Sequence, residues 1–111
     1  MTVQELIDIQ LFQLKNAGDD LERDITVPFC CDLLSVAMGQ APSGSAWGTV
    51  MSNLNTLAVA SLADVACVIL AEDAQTDDNF LAKANMQGIT VFSTELPIFD
   101  AALAVYTKLH S

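Results

Sequence analysis

The groups able to do chemistry in this chain are carboxylates, hydroxyls and thiols, with few cations beside them. Fourteen Asp and Glu stand against four Lys and Arg and a single His, a net charge of −10. The carboxylates pair along the chain as Asp19-Asp20, Glu22 with Asp24, Glu72-Asp73 and Asp77-Asp78. Paired carboxylates can share a proton in acid–base work or hold a hard cation. All four pairs, however, fall in turns or at helix starts, where acidic residues also serve as solvated caps. Nucleophilic catalysis needs a base beside a hydroxyl or thiol. The one imidazole is His110, next to the last residue, and no base accompanies Cys30 in sequence. An enzyme would have to use an isolated carboxylate such as Asp32 or Glu72 as its base.

The thiols point the same way. Cys30, Cys31 and Cys67 are odd in number, contain an adjacent pair and form no C-x-x-C, so they are no disulfide framework. All three sit in apolar, strand-like runs, where a free cysteine behaves as a small buried hydrophobe. With one His beside them they provide too few ligands for a metal site. There is no G-x-x-x-x-G-K-[ST] loop for phosphates. The glycine-containing stretch Ser43-Gly-Ser45 with Gly48 precedes a strand, whereas a dinucleotide fingerprint follows one and opens a helix. No cofactor and no metal are expected.

Charge and hydropathy bound the partners. A net charge of −10 opposes nucleic acid, whose binding depends on Lys and Arg meeting phosphates. It opposes anionic membranes equally. The apolar fraction is 52% and the mean hydropathy +0.42, yet no apolar run approaches the roughly 18 residues of a membrane helix. The strong negative charge suits solubility for so apolar a chain, with a basic partner surface as the sharper alternative. The opening MTVQELIDIQ carries Glu5 and Asp8 without an early Lys or Arg, so it does not read as a signal peptide, and a cytoplasmic location is expected. The 111 residues make one domain, 1–111.

The elements that must position any site follow from periodicity. Residues 47–50, 53–62 and 67–70 read as apolar strand, small-residue helix, apolar strand: a βαβ unit whose strands lie parallel in a buried sheet. Before it, Thr2 and Glu5 form a capping box for a short helix with Val3, Leu6 and Ile7 on one face. Residues 10–15 alternate as a half-exposed strand, and 16–24 form an acidic turn with Gly18. Residues 25–31 read as a strand in which Pro28 demands an edge position or a bulge. Asp32 or a neighbour caps a helix over 33–38, ended by Gly39. After a polar loop at 71–76, Asp77 and Asp78 open a helix with Phe80, Leu81, Ala84 and Asn85 inward, closed by Gly88. Residues 89–92 form the last strand. Pro97 starts the final helix in its first turn, with Ile98, Ala101, Ala102, Val105 and Leu109 at helical spacing. Five strands and five helices give a three-layer α/β/α sandwich around a mostly parallel sheet. Pro28 and the short first connection indicate a mixed one.

In open α/β sheets ligands gather beyond the carboxyl ends of the strands. Those ends here carry Asp32, Ser35, Met51, Ser52, Asn53, Asn55, Glu72, Ser93 and Thr94. They are small hydrogen-bonding groups at helix starts, where free N–H groups also hold anions. Ser52, Asn53 and Thr94 equally fit ordinary N-caps.

The chain resembles a DRTGG domain, the kind similar to the N-terminal domain of HPr kinase/phosphorylase. The resemblance covers nearly the whole chain and rests on Thr26-Val-Pro-Phe-Cys-Cys-Asp-Leu-Leu-Ser35, Trp47-Gly-Thr-Val-Met-Ser-Asn-Leu-Asn55 with Ala58-Val-Ala60, Val68-Ile-Leu with Glu72, and Gly88-Ile-Thr-Val-Phe-Ser-Thr94. Val27 and Pro28 stand where the motif has its glycines, and Asn53 where a His is expected. The resemblance implies a non-catalytic regulatory or sensing module, without the kinase's P-loop domain. It adds Thr26 and Thr49 to the ligand-binding candidates. The expected ligand is a small molecule, a nucleotide among the candidates. The alternative is an interaction module that homodimerises or docks on a larger assembly, and a homodimer suits so apolar a domain.

Overall fold

A computed structural model describes all of residues 1–111. The elements run α1 (Val3–Asp8), β1 (Gln13–Asn16), β2 (Pro28–Cys30), α2 (Leu34–Gln40), β3 (Ala46–Thr49), α3 (Leu54–Ala63), β4 (Cys67–Leu70), α4 (Asp78–Gln87), β5 (Val91–Ser93) and α5 (Ile98–Leu109). The five strands form one sheet in the order β1-β5-β4-β3-β2. β2, β3, β4 and β5 are parallel, and β1 pairs antiparallel with β5. The sheet is therefore mixed, with its one antiparallel strand on an edge.

Strand alternation divides the core into two layers. Ala46, Cys67, Ile69 and Phe92 face one side, where they bury Val3 and Leu6 of α1 and Ala101 and Val105 of α5. Trp47, Val68, Leu70 and Val91 face the other side, against Ala37 of α2, Leu57 and Ala60 of α3 and Phe80 and Ala84 of α4. β4 is fully buried, as its unbroken apolar run requires. The central βαβ unit is present as read, with α3 capped by Asn53 and not Ser52: the Asn53 side chain accepts from the N–H groups of Asn55 and Thr56.

The edges explain Pro28. Ala46 N–H donates to Val27 C=O and Cys31 N–H to Gly48 C=O, so Val27 and Cys31 address β3. Pro28 and Cys30 then point their backbone groups outward, where a missing N–H costs no ladder bond. The strand is shorter than residues 25–31. Thr26 N–H bonds Gly44 C=O and Ile25 N–H bonds Met1 C=O, so the chain before Pro28 is held by loops.

Several local expectations are corrected. Asp32 does not cap α2, whose N-cap is Leu33 with no side-chain bond. Gly39 does not end that helix, which runs on through Gln40. Pro97 is the N-cap of α5, not a residue of its first turn. Asn85 lies on the exposed side of α4, while Leu81 is half-buried beside Phe80 and Ala84. Cys30 is exposed and Cys31 half-buried; only Cys67 is a core thiol. Its burial pushes the thiol up to about 12. No helix is long and apolar enough to cross a membrane.

Candidate functional site

The four parallel strands bring their carboxyl ends to one edge of the sheet, so most of the candidate residues do converge. Most of them are also spent on holding the fold. Asp32 Oδ1 accepts from Thr49 Oγ1 at 3.0 Å and from Val50 N–H at 2.9 Å. Ser52 Oγ donates to Gln75 C=O at 2.6 Å, tying the start of α3 to the β4–α4 loop. Asn53 is the cap of α3. Met51 C=O accepts from Thr56 Oγ1 at 2.7 Å. Glu72 Oε2 accepts from Ile98 N–H at 3.2 Å and so serves the first turn of α5. Thr94 N–H donates to Leu70 C=O, and Thr94 Oγ1 accepts from Leu96 N–H. Ser35 and Asn55 are exposed on the first turns of α2 and α3, with side chains that bond nothing in the chain. Thr26 lies apart from the rest. It sits before β2, at the amino end of the parallel strands, with its hydroxyl on Ser43 C=O at 3.0 Å.

Connection geometry places one crevice. The chain leaves β4 for α4 on one face and leaves β5 for α5 on the other. Loops that part in this way open a gap at the strand ends. Here the gap is largely sewn shut: Glu72 N–H bonds Leu96 C=O at 2.8 Å and Asp73 N–H bonds Thr94 C=O at 2.9 Å. What stays open is a hollow of about 140 Å³ on the α4 side, lined by Gln13, Lys15, Asp73, Ala74, Gln75, Thr76 and Ser93.

The hollow gathers several unengaged side chains in one place, where Ser35 and Asn55 stand singly on their helices. Ser93 is 9% exposed, and its hydroxyl, which still reaches solvent, bonds nothing in the chain; the one fully buried hydroxyl without a partner is that of Ser45, just before β3 at the other end of the sheet. The side chains of Gln13, Lys15, Asp73 and Thr76 are likewise unpaired; only Gln75 is engaged, on Asp73 C=O at 2.8 Å. The backbone around it is irregular. β1 and β5 are in register at Gln13 with Ser93 and Leu14 with Phe92, and then Asn16 pairs with Val91. Lys15 is the extra residue of that bulge, a device that re-aims a side chain. Opposite, Glu72 and Asp73 both hold positive φ, each 57°, in a turn closed by Ala74 N–H on Ala71 C=O. Neither is glycine; Asp enters the left-handed region readily, while for Glu72 it costs on the order of 1–2 kcal/mol. Strain of this kind persists where the surroundings impose it, often at a site.

A second hollow, of about 160 Å³, lies at the opposite end of the sheet among Asp20, Arg23, Ser61, Asp64 and residues 87–90. Its one cation is already taken. Arg23 donates from two nitrogens to the two Asp64 oxygens at 2.9 and 3.0 Å, and Ser43 Oγ donates to Asp64 Oδ2 at 2.7 Å. The Arg23 guanidinium, then the Ser43 hydroxyl, hold the Asp64 carboxyl down at about 2. This is a clasp between the 16–24 turn and the end of α3. No three of the His, Cys, Asp and Glu side chains converge where a metal could sit.

Sequence reasoning reached Ser93 and missed Lys15, Gln13, Gln75, Thr76 and Asp73 as its neighbours. The available signal was period two: Gln13 and Lys15 alternate with Leu14 on a strand, and Lys15 is one of only four cations. No protein-family model and no curated protein matches this chain.

Proposed function

We propose that this chain is a non-catalytic sensing domain that takes a small polar ligand in the hollow at the carboxyl end of β5. The observation that carries this reading is the contrast in hydrogen bonding. Asp32, Thr49, Ser52, Asn53 and Glu72 are committed within the fold. The Ser93 hydroxyl and the side chains of Gln13, Lys15, Asp73 and Thr76 around it are not. Groups that bond only solvent can turn to a ligand without breaking a bond of the fold. The hydroxyls that do sit on a carboxylate, Thr49 on Asp32 and Ser43 on Asp64, lie outside the hollow and tie parts of the fold together, which favours binding over turnover there. The resemblance to DRTGG domains, taken as a regulatory module, agrees with it. At about 140 Å³ the hollow is smaller than the roughly 300–1,000 Å³ of sites for drug-sized molecules, which favours a ligand smaller than a nucleotide.

Thermal unfolding against a panel of small polar metabolites and nucleotides tests the reading. A ligand at a hundred times its dissociation constant adds about 2.7 kcal/mol, a rise on the order of 10 °C for a domain of this size. Ser93→Ala should abolish the rise while leaving the ligand-free midpoint close to wild type. A flat panel overturns the proposal.

A second reading, self-association, has its own observation. Phe99, Leu103 and Tyr106 form an exposed apolar stripe on the outer side of α5. It is compatible with sensing, because a homodimer would leave the hollow on the other face of the sheet open.

A further inference from the structure

We infer that the ligand of this hollow is dipolar: a small zwitterion of the α-amino acid class, with its carboxylate on Lys15 and its ammonium on Asp73. The inference rests on the reading of the hollow as a ligand site and adds the chemical class. Lys15 and Asp73 stand on opposite walls, one on the β1 bulge and one on the strained turn after β4. They line one hollow without forming an ion pair; the molecule's one ion pair is Arg23–Asp64. Two opposite charges separated by neutral donors and acceptors match a molecule that carries both charges a few bonds apart. β5 lies between β1 and β4, so Ser93 stands between the two charges, and the Thr76 hydroxyl and Gln13 amide line the same hollow, able to donate or accept as needed.

Each other ligand class meets an obstacle. An anion such as phosphate gains Lys15 but must also face Asp73, inside a protein of net charge −10. A cation gains Asp73 but meets Lys15. An apolar molecule finds almost no apolar wall, since Ala74 is the one hydrophobic residue of the lining. A zwitterion carries no net charge, so the field of the whole protein does not exclude it, while each of its ends finds its complement locally.

Amide spectra of the ¹⁵N-labelled chain test this with five probes: L-serine, N-acetyl-L-serine, L-serine methyl ester, inorganic phosphate and ATP. The expected result is a saturable shift of the Asp73, Gln75 and Ser93 amides with L-serine. The acetylated and esterified forms, each lacking one charge, should bind at least tenfold more weakly. Lys15→Gln and Asp73→Asn should each weaken L-serine by a similar factor, with the rest of the spectrum unchanged to show that the fold persists. If phosphate, ATP or either blocked serine binds as well as L-serine, the dipolar assignment falls while the hollow stands as a site. If no probe moves these amides, the dipolar assignment and the sensing proposal both fall.

Discussion

The Asp32 carboxylate, just past the end of β2, holds the Thr49 hydroxyl at the end of β3 at 3.0 Å and the following Val50 N–H at 2.9 Å. Thr49 is fully buried, so its hydroxyl has no water to turn to. Asp32 thus locks two strand ends together through its Oδ1.

Removing that lock has a predictable cost. Asp32→Ala leaves the Thr49 hydroxyl and the Val50 N–H without their acceptor, at a cost of about 1–3 kcal/mol. Asp32→Asn keeps an acceptor oxygen in place and should lose less than half of that. Urea unfolding followed by the fluorescence of Trp47, the one tryptophan and fully buried, reads both. Equal losses in the two variants would mean that charge, not the hydrogen bonds, is what Asp32 supplies.

Two glycines should respond to alanine with opposite signs. A Cβ on Gly18 would collide with the Gly88 carbonyl, because the 16–24 turn lies directly on the end of α4. Asp19 N–H bonds Gly88 C=O there, and Gly18 N–H bonds Thr90 Oγ1 at 2.9 Å, so the contact cannot open without losing both. Gly18→Ala should destabilise by about 1–3 kcal/mol, the range for overpacking. Gly39 lies inside α2 with nothing within reach of a Cβ. Gly39→Ala should stabilise by about 0.5–1 kcal/mol through the helix propensity of alanine. The same unfolding curves decide both, and a loss at Gly39 would contradict the open space beside it.

The pH dependence of stability has two limbs with identified groups. Arg23, then Ser43, lower the Asp64 carboxyl from its ordinary 3.8 to about 2. A lowered carboxyl stabilises the fold above its unfolded value, and that contribution disappears as pH falls from about 4 to about 2. The pair is exposed, so its share is small and screened by salt. Burial raises the Cys67 thiol from 9.0 to about 12. The unfolded chain then releases this proton first, so stability falls as pH rises from about 9 toward 12. Urea midpoints across pH should show a plateau between the limbs. Arg23→Gln should flatten the acid limb and Cys67→Ala the alkaline one; an unchanged limb in either variant would show that other groups set it.

What could be read in the sequence was the chemistry a residue does with its near neighbours. The Thr2–Glu5 capping box, the Asn53 and Asp77 caps and the left-handed Gly88 all act within four residues of themselves. The apolar strands 47–50 and 67–70 were legible for the same reason, since a run buried on both faces needs no partner to be recognised. The corrections at Gly39 and Pro97 are local shifts of a helix end, but the larger gaps are residues whose partner lies far along the chain. Asp32 was expected to cap the helix beside it and instead reaches Thr49. Glu72 reaches forward to Ile98, and Arg23 crosses to Asp64. The hollow is the extreme case. Lys15 and Ser93 meet only because β1 returns antiparallel to β5, and no local pattern states which strand pairs with which.

The outer side of α5 should make the protein self-associate weakly. Phe99, Leu103 and Tyr106 are 64%, 48% and 50% exposed, far more than large apolar residues on a helix with a single buried face. With His110, whose ring stacks on Tyr106 at 4.1 Å, they recur at spacings of four, three and four. That is the spacing of a coiled-coil seam, in which two helices interlock along one stripe. One helix face is well short of the roughly 800 Å² per partner of a standard interface, so the dimer should form only at high concentration. Light scattering across a concentration series should show the mass rising toward twice the 11.8 kDa of the chain. Leu103→Glu, which places a charge at the centre of the stripe at a half-exposed position outside both core clusters, should hold the protein monomeric at an unchanged unfolding midpoint. A wild-type mass that stays at one chain through the highest concentrations would overturn the self-association reading and leave the stripe to a different partner.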